Sequence, residues 1–172
     1  MQIILDISDQ AKAYDYLIDT LACLSKQTKK YKILVNREDS WKTLILDLNK
    51  VFQLDLHFQA NELSELVKGE DSVVITGNME FSSEYGDVME SMIDKYPDRL
   101  VSGITCKYTC LSKSFHYPND SHLSEIIHKR EEFSLHRSFV NAYNIGFSKN
   151  IKLEEIDNLD TVSHGTLVAY ST

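Results

Sequence analysis

The chain has 172 residues, two of them Pro and six Gly, with 42% hydrophobic and 26% charged side chains. That is the size and balance of one globular domain with a sizeable core, and it excludes an intrinsically disordered segment. Eighteen basic against 26 acidic residues leave a net charge of −8, which disfavours nucleic acid as a partner but leaves room for a small anionic ligand.

Gln2–Ile7 reads as a short apolar strand, and Asp9 after it as a helix N-cap. Tyr14, Leu17, Ile18, Leu21 and Leu24 fall on one helical face. Tyr31–Val35 reads as a second strand, followed by the polar turn Asn36–Ser40. Trp41, Leu44, Ile45, Leu48 and Val51 make a second helical face. Leu54–Phe58 reads as a third strand and Glu62–Val67 as a short helix. Ser72–Thr76 has the composition of a buried strand and ends at Gly77-Asn78. Ser82 or Ser83 is the expected cap of the next helix, whose face is Tyr85, Val88, Met89, Met92, Ile93 and Tyr96, and Pro97 stops it. Leu100–Tyr108 reads as a strand again.

Beyond Cys110 the pattern loosens into an aromatic-bearing polar loop, a charged helical stretch over His122–Glu132, a strand over Phe139–Phe147 and a last apolar stretch, Thr166–Tyr170. Alternating strands and helices predict the doubly wound α/β class, with a mostly parallel sheet flanked by helices. Ligands of such sheets bind beyond the carboxyl ends of the strands, which here carry Asp6, Asn36 and Asn78.

No run approaches the roughly 18 apolar residues of a membrane helix, and the amino terminus lacks the basic and small-residue features of a signal peptide. Cys23, Cys106 and Cys110 cannot all pair with one another, and no second Cys/His pair at zinc spacing follows. The expected location is the cytoplasm, with no membrane span.

Four stretches carry a resemblance to a known family. The first is Leu21-Ala22-Cys23-Leu24-Ser25-Lys26-Gln27-Thr28 with the strand Tyr31–Val35. The second is Asn61 with Lys68-Gly69-Glu70 and Val73–Ile75. The third is Thr76-Gly77-Asn78-Met79-Glu80-Phe81-Ser82-Ser83-Glu84-Tyr85, followed by Leu100–Gly103. The fourth is Asn144–Ser148 with Glu155–Asp160 and the tail Ser163–Tyr170. In this order they resemble the GT-A glycosyltransferases, specifically the inverting family 2 group that uses nucleotide-diphosphate sugars.

The resemblance implies one GT-A, Rossmann-like domain over 1–172, with a nucleotide-sugar-binding half at 1–110 and an acceptor-side half at 111–172 that is short for the family. It implies a nucleotide-diphosphate sugar as ligand and a glycan or other hydroxyl compound as acceptor. In the family a divalent cation, Mn or Mg, held by an Asp-x-Asp, bridges the donor phosphates. A late Asp removes the acceptor's proton, and an acid of the second-strand turn meets the nucleobase.

At each of those places this chain departs from the pattern. The Asp-x-Asp is Thr76-Gly77-Asn78, an exchange of anionic ligands for a hydroxyl and an amide that weakens cation binding. Asn78 and Glu80 are the remaining cation donors. The base position falls on Gly165 beside His164, which makes His164 the candidate base. The second-strand turn reads Asn36-Arg37 with Asp39 displaced, and the first strand ends at Asp6. Asp6, Asn36, Arg37, Asp39 and Asn78 are the candidate nucleotide contacts, with Arg37 a cation for the diphosphate.

Plainer roles stand beside these: Asn78 as a turn cap, Glu80 and Arg37 as solvated charges, Asp157 and Asp160 as an acidic loop, and the Tyr14/Tyr16 and Tyr85/Tyr96 pairs as packing. Two further readings compete with a working transferase. One is a catalytically inactive GT-A-like domain, a pseudoenzyme that serves as a binding module and self-associates. The other is a 2H phosphoesterase, since His122-Leu123-Ser124, His136-Arg137-Ser138 and His164-Gly165-Thr166 each read His-x-Ser/Thr.

Overall fold

The computed structural model describes residues 1–7, 14–36, 41–59, 63–77, 79–108, 144–152 and 159–171. The elements in chain order are β1 (Gln2–Asp6), α1 (Tyr14–Ser25), β2 (Lys32–Asn36), α2 (Lys42–Phe52), β3 (Leu56–Gln59), α3 (Leu63–Leu66), β4 (Ser72–Thr76), β5 (Met79–Phe81), α4 (Tyr85–Lys95), β6 (Leu100–Tyr108), β7 (Ile145–Phe147) and β8 (Thr161–Ser171). The expected cap Asp9 and the helical stretch His122–Glu132 lie outside the described residues. None of the described helices is long and apolar enough to cross a membrane.

The strands form one eight-stranded sheet in the order β3-β2-β1-β4-β7-β6-β8-β5. The first four run parallel. β7 is antiparallel to both β4 and β6, β8 is parallel to β6, and β5 is antiparallel to β8. Parallel pairings outnumber antiparallel ones, as the alternation of strands and helices predicts.

Central strands are apolar on both faces because both are covered. Ile3, Leu5, Ile33, Val35, Val73 and Ile75 join Leu17, Leu21, Ile45, Met89 and Ile93 in the larger core, under α1, α2 and α4. Ile4, Leu34 and Val74 point the other way and pack with Leu66, Val67, Leu100 and Phe147. Gln2 is buried at the start of β1, and its Nε2 donates to the Leu66 carbonyl at 2.6 Å and to Ser72 Oγ at 3.1 Å, tying α3 to the sheet.

The sheet cannot be flat. β4 and β5 lie four strand spacings apart, about 19 Å across a flat sheet. Yet Thr76 and Met79 are only three peptide units apart, a reach of about 11 Å. The far side must therefore curl back until β5 stands near the end of β4.

A register break marks the change of direction. Val74, Ile145, Ser102 and Ser163 share one row. From there two steps along β6, Ser102 to Ile104, face four steps along β8, Ser163 to Leu167. A bulge of this kind bends the strand that carries it and sharpens its twist. Asn144 repairs the ladder beside it. Its Nδ2 donates to the Gly103 carbonyl at 3.0 Å, and its Oδ1 accepts from the Gly103 N–H at 3.3 Å and from the buried Tyr85 hydroxyl at 2.5 Å. Gly146, two residues on, has no room for a side chain, since a Cβ would stand 2.8 Å from Val101 Cγ2.

Several expectations need correction. The residue at the cap position of α4 is Glu84, not Ser82 or Ser83, and its side chain makes no capping bond. Val51 is 76% exposed and Ile18 47%, so the inward faces of α2 and α1 are narrower than the apolar pattern suggests. The last apolar stretch is the end of a strand that begins earlier, at Thr161, and β5 has no counterpart among the expected elements.

Candidate functional site

The chain runs outward from β1 through β2 to β3, then returns to β4 on the other side of β1. The crevice where the order reverses, at the carboxyl ends of β1 and β4, is where open α/β sheets take their ligands. Asp6 ends β1 in register with Asn36, the last residue of β2, and with Thr76, the last residue of β4. The Asn36 amide approaches Asp6 Oδ1 at 3.5 Å, a long contact between half-buried groups, while the Ile7 N–H donates to the Asn36 carbonyl at 2.9 Å. Two of the predicted contacts are thus neighbours at the expected end of the sheet. Arg37, Asp39 and Asn78 lie outside the described residues.

Glu80 is half-buried on β5, opposite Ala169 of β8, with Met79 and Phe81 on either side buried in the core. The backbone of His164 belongs to β8, within the bulge and one row short of the level of Thr76. Along the sheet that is three strand spacings from β4, about 14 Å, a distance that the curl shortens. The backbone at position 164 is thus three strands away from β4 in the sheet, and Asp6 and Asn36 lie on the far side of β4 from it.

The family's cation site does not fit these residues. Hard dications call for several oxygen ligands, carboxylates foremost. The strand end supplies a threonine, a glycine and an asparagine before the first carboxylate, Glu80. Among the described residues no group of three or more His, Cys, Asp or Glu side chains could hold a metal ion.

The Gln-Thr sequence after α1 has a clear structural role. Gln27 Nε2 donates to the Ser82 carbonyl at 2.8 Å, and its Oε1 accepts from the Gly86 N–H at 2.8 Å. The Thr28 hydroxyl bonds to the Asp87 carboxylate, and the Thr28 N–H donates to the Ser83 carbonyl at 3.0 Å. The Tyr31 hydroxyl donates to the other Asp87 oxygen at 2.9 Å. These bonds fasten the loop after α1 to the first turn of α4. Gly86 is needed there, because a Cβ would stand 2.3 Å from the Tyr31 ring. The Thr28 and Tyr31 hydroxyls hold the Asp87 carboxyl below the ordinary carboxylate range, whereas burial and the neighbouring Asp87 push the Tyr31 phenol up.

Sequence reasoning missed Thr20, a completely buried polar residue on a face otherwise made by Leu17, Leu21 and Leu24. Its polarity amid that apolar spacing is the signal that could have found it. A cavity of about 250 Å³ lies among Leu24, Tyr31, Ile33, Phe52 and Leu54. It opens at the amino ends of β1 and β2, the opposite end from the crevice, and takes no part in the site.

No family model and no curated protein matches the chain. Solved structures do match it. S. aureus TarS 1-349 in complex with UDP-GlcNAc superposes with a TM-score of 0.61 at 11% identity, over 100% of this chain and 59% of that one. The same protein in complex with UDP gives 0.59 at 11% identity over 100% and 61%, and without a named ligand 0.57 at 10% over 99% and 60%. The fold is of the GT-A type. The chain spans about 60% of the length of the TarS 1-349 structures it matches.

Proposed function

We propose that this chain binds a nucleoside-diphosphate sugar in the crevice at the carboxyl ends of β1, β2 and β4, as a glycosyltransferase of the inverting family 2 kind whose metal pair has been replaced. The observation that carries the reading is the meeting of Asp6 and Asn36 on adjacent strand ends, in register with Thr76, at the point where the strand order reverses. In this reading Asp6 and Asn36 hydrogen-bond the nucleoside, while Arg37 and Asn78 face the diphosphate. Arg37 stands in for the cation as the partner of the leaving phosphates. His164 takes the proton of the attacking acceptor hydroxyl. The fold shared with a UDP-GlcNAc complex supports the choice of ligand class.

The experiment is calorimetric titration with UDP, GDP, CDP and dTDP, in EDTA and again with Mn²⁺, followed by an assay for nucleoside diphosphate released from the matching sugar donor. Saturable binding in EDTA with release of diphosphate is the expected result. Binding without release favours the second reading, a GT-A-like binding module, which the glycine at position 165 and the amide at position 78 favour. Failure of all four nucleotides to bind under either condition would sink the transferase reading.

A further inference from the structure

Among the described strands β5 stands at the edge of the sheet, paired with β8 on one side. Alternate residues of such a strand turn their backbone N–H and C=O groups outward, where no strand receives them. Here α1 receives them. The Thr20 hydroxyl donates to the Met79 carbonyl at 2.8 Å and accepts from the Met79 N–H at 3.0 Å, so one side chain satisfies both groups. One helical turn on, the Cys23 thiol makes a hydrogen bond with the Phe81 backbone. Just beyond the end of the helix, Gln27 bonds to Ser82 and Gly86. Residues 20 and 23 share a helical face, and 79 and 81 share a strand edge. Helix α1 thus does the work of a missing strand.

This matters because of what the pinned segment carries. Met79 follows directly on Asn78 and precedes Glu80, and its side chain is completely buried. Only residues 77 and 78 separate it from the end of β4. Wherever Thr20 holds Met79, the strand-end turn must follow. We propose that Thr20 is a positioning residue: by fixing Met79 it sets the placement of the 77–80 segment against Asp6 and Asn36, and so the affinity of the crevice for a nucleoside diphosphate. The consequence for affinity rests on the nucleotide-binding reading above; the pinning does not.

Two measurements separate them. Hydrogen exchange of residues 77–82 is compared in the wild type, Thr20→Val, Thr20→Ser and Tyr85→Phe, and each protein is titrated with UDP. Thr20→Val keeps the volume and removes the hydroxyl, so exchange in 77–82 should rise about tenfold or more while β6 is unchanged, and UDP affinity should fall about tenfold. Thr20→Ser keeps the hydroxyl and should restore both. Tyr85→Phe removes a buried hydrogen bond elsewhere in the core, so it should lower the melting temperature without changing UDP affinity. If Thr20→Val cannot be obtained folded, Cys23→Ala, which removes the next attachment along the strand, should raise exchange in 77–82 in the same direction. Unchanged exchange in 77–82 would overturn the pinning. Raised exchange with unaltered UDP affinity would overturn its link to the site. A wild type that binds none of UDP, GDP, CDP and dTDP while Thr20→Val still loosens 77–82 would reject the affinity claim together with the nucleotide reading and leave the pinning standing.

Discussion

The contact between the loop after α1 and the first turn of α4, and the carboxyl ends of β1, β2 and β4, are held together very differently. At the helix contact, Gln27, Thr28 and Tyr31 fasten two elements through backbone groups and one carboxylate, around a glycine that admits no side chain. At the strand ends Asp6 and Asn36 meet across 3.5 Å, at the limit of a hydrogen bond. The stretches that resemble the GT-A enzymes in sequence include the residues of the first region. The family's reactive positions fall in or beside the second, where this chain has changed them. A packing motif persists because each member satisfies a partner elsewhere in the chain, whereas a ligand contact is free to change once its ligand or cation changes.

Gly86→Ala tests the first region hardest. The new Cβ overlaps the Tyr31 ring, which is buried and tied to Asp87. A loss of about 3 kcal/mol in urea unfolding is expected. A loss within a few tenths would mean that the ring swings aside and that the contact is no clamp. Gln27→Ala removes bonds to Ser82 and Gly86 and should cost about 1.5 kcal/mol.

The Asp87 carboxyl gives a pH dependence. Its pKa is lowered on folding from the ordinary 3.8, so the folded state binds fewer protons than the unfolded one in that range. The stabilisation is complete above the ordinary value and is lost as pH falls through it toward the folded value. Comparing urea midpoints at pH 7 and pH 3 should therefore show a smaller acid loss for Asp87→Asn than for the wild type. Asn36→Ala belongs to the other region and should have the smallest effect on stability, within about 0.5 kcal/mol, while weakening UDP binding. A large loss of stability instead would make the strand ends structural too and erase the contrast between the regions.

The fold was legible where burial on both faces wrote continuous apolar runs. Ser72–Thr76 and Leu100–Tyr108 have the same bounds in sequence pattern and structure. β5 was not legible, because three residues are too few for a period and its outward backbone is satisfied by Thr20 rather than by another strand. The cap of α4 was misread because Ser82 and Ser83 give their carbonyls to Gln27 and Thr28, and the cap position falls on Glu84. At the site, the pairing of Asp6 with Asn36 followed from their places at strand ends. The distance of His164 could not follow, since it depends on a bulge and a curl that no local pattern encodes.

The central claim is that the strand-end crevice takes a nucleoside diphosphate without the family's metal pair. It is tested most directly by a ¹⁵N–¹H titration of the protein with UDP in EDTA. The account predicts saturable shifts of the Asp6, Ile7, Asn36 and Gly77 amides, with the Ile33 and Asp55 amides at the opposite end of the sheet unmoved. No shift at the strand ends at saturating UDP, nor with GDP, CDP or dTDP in its place, or shifts only after Mn²⁺ is added, would contradict it.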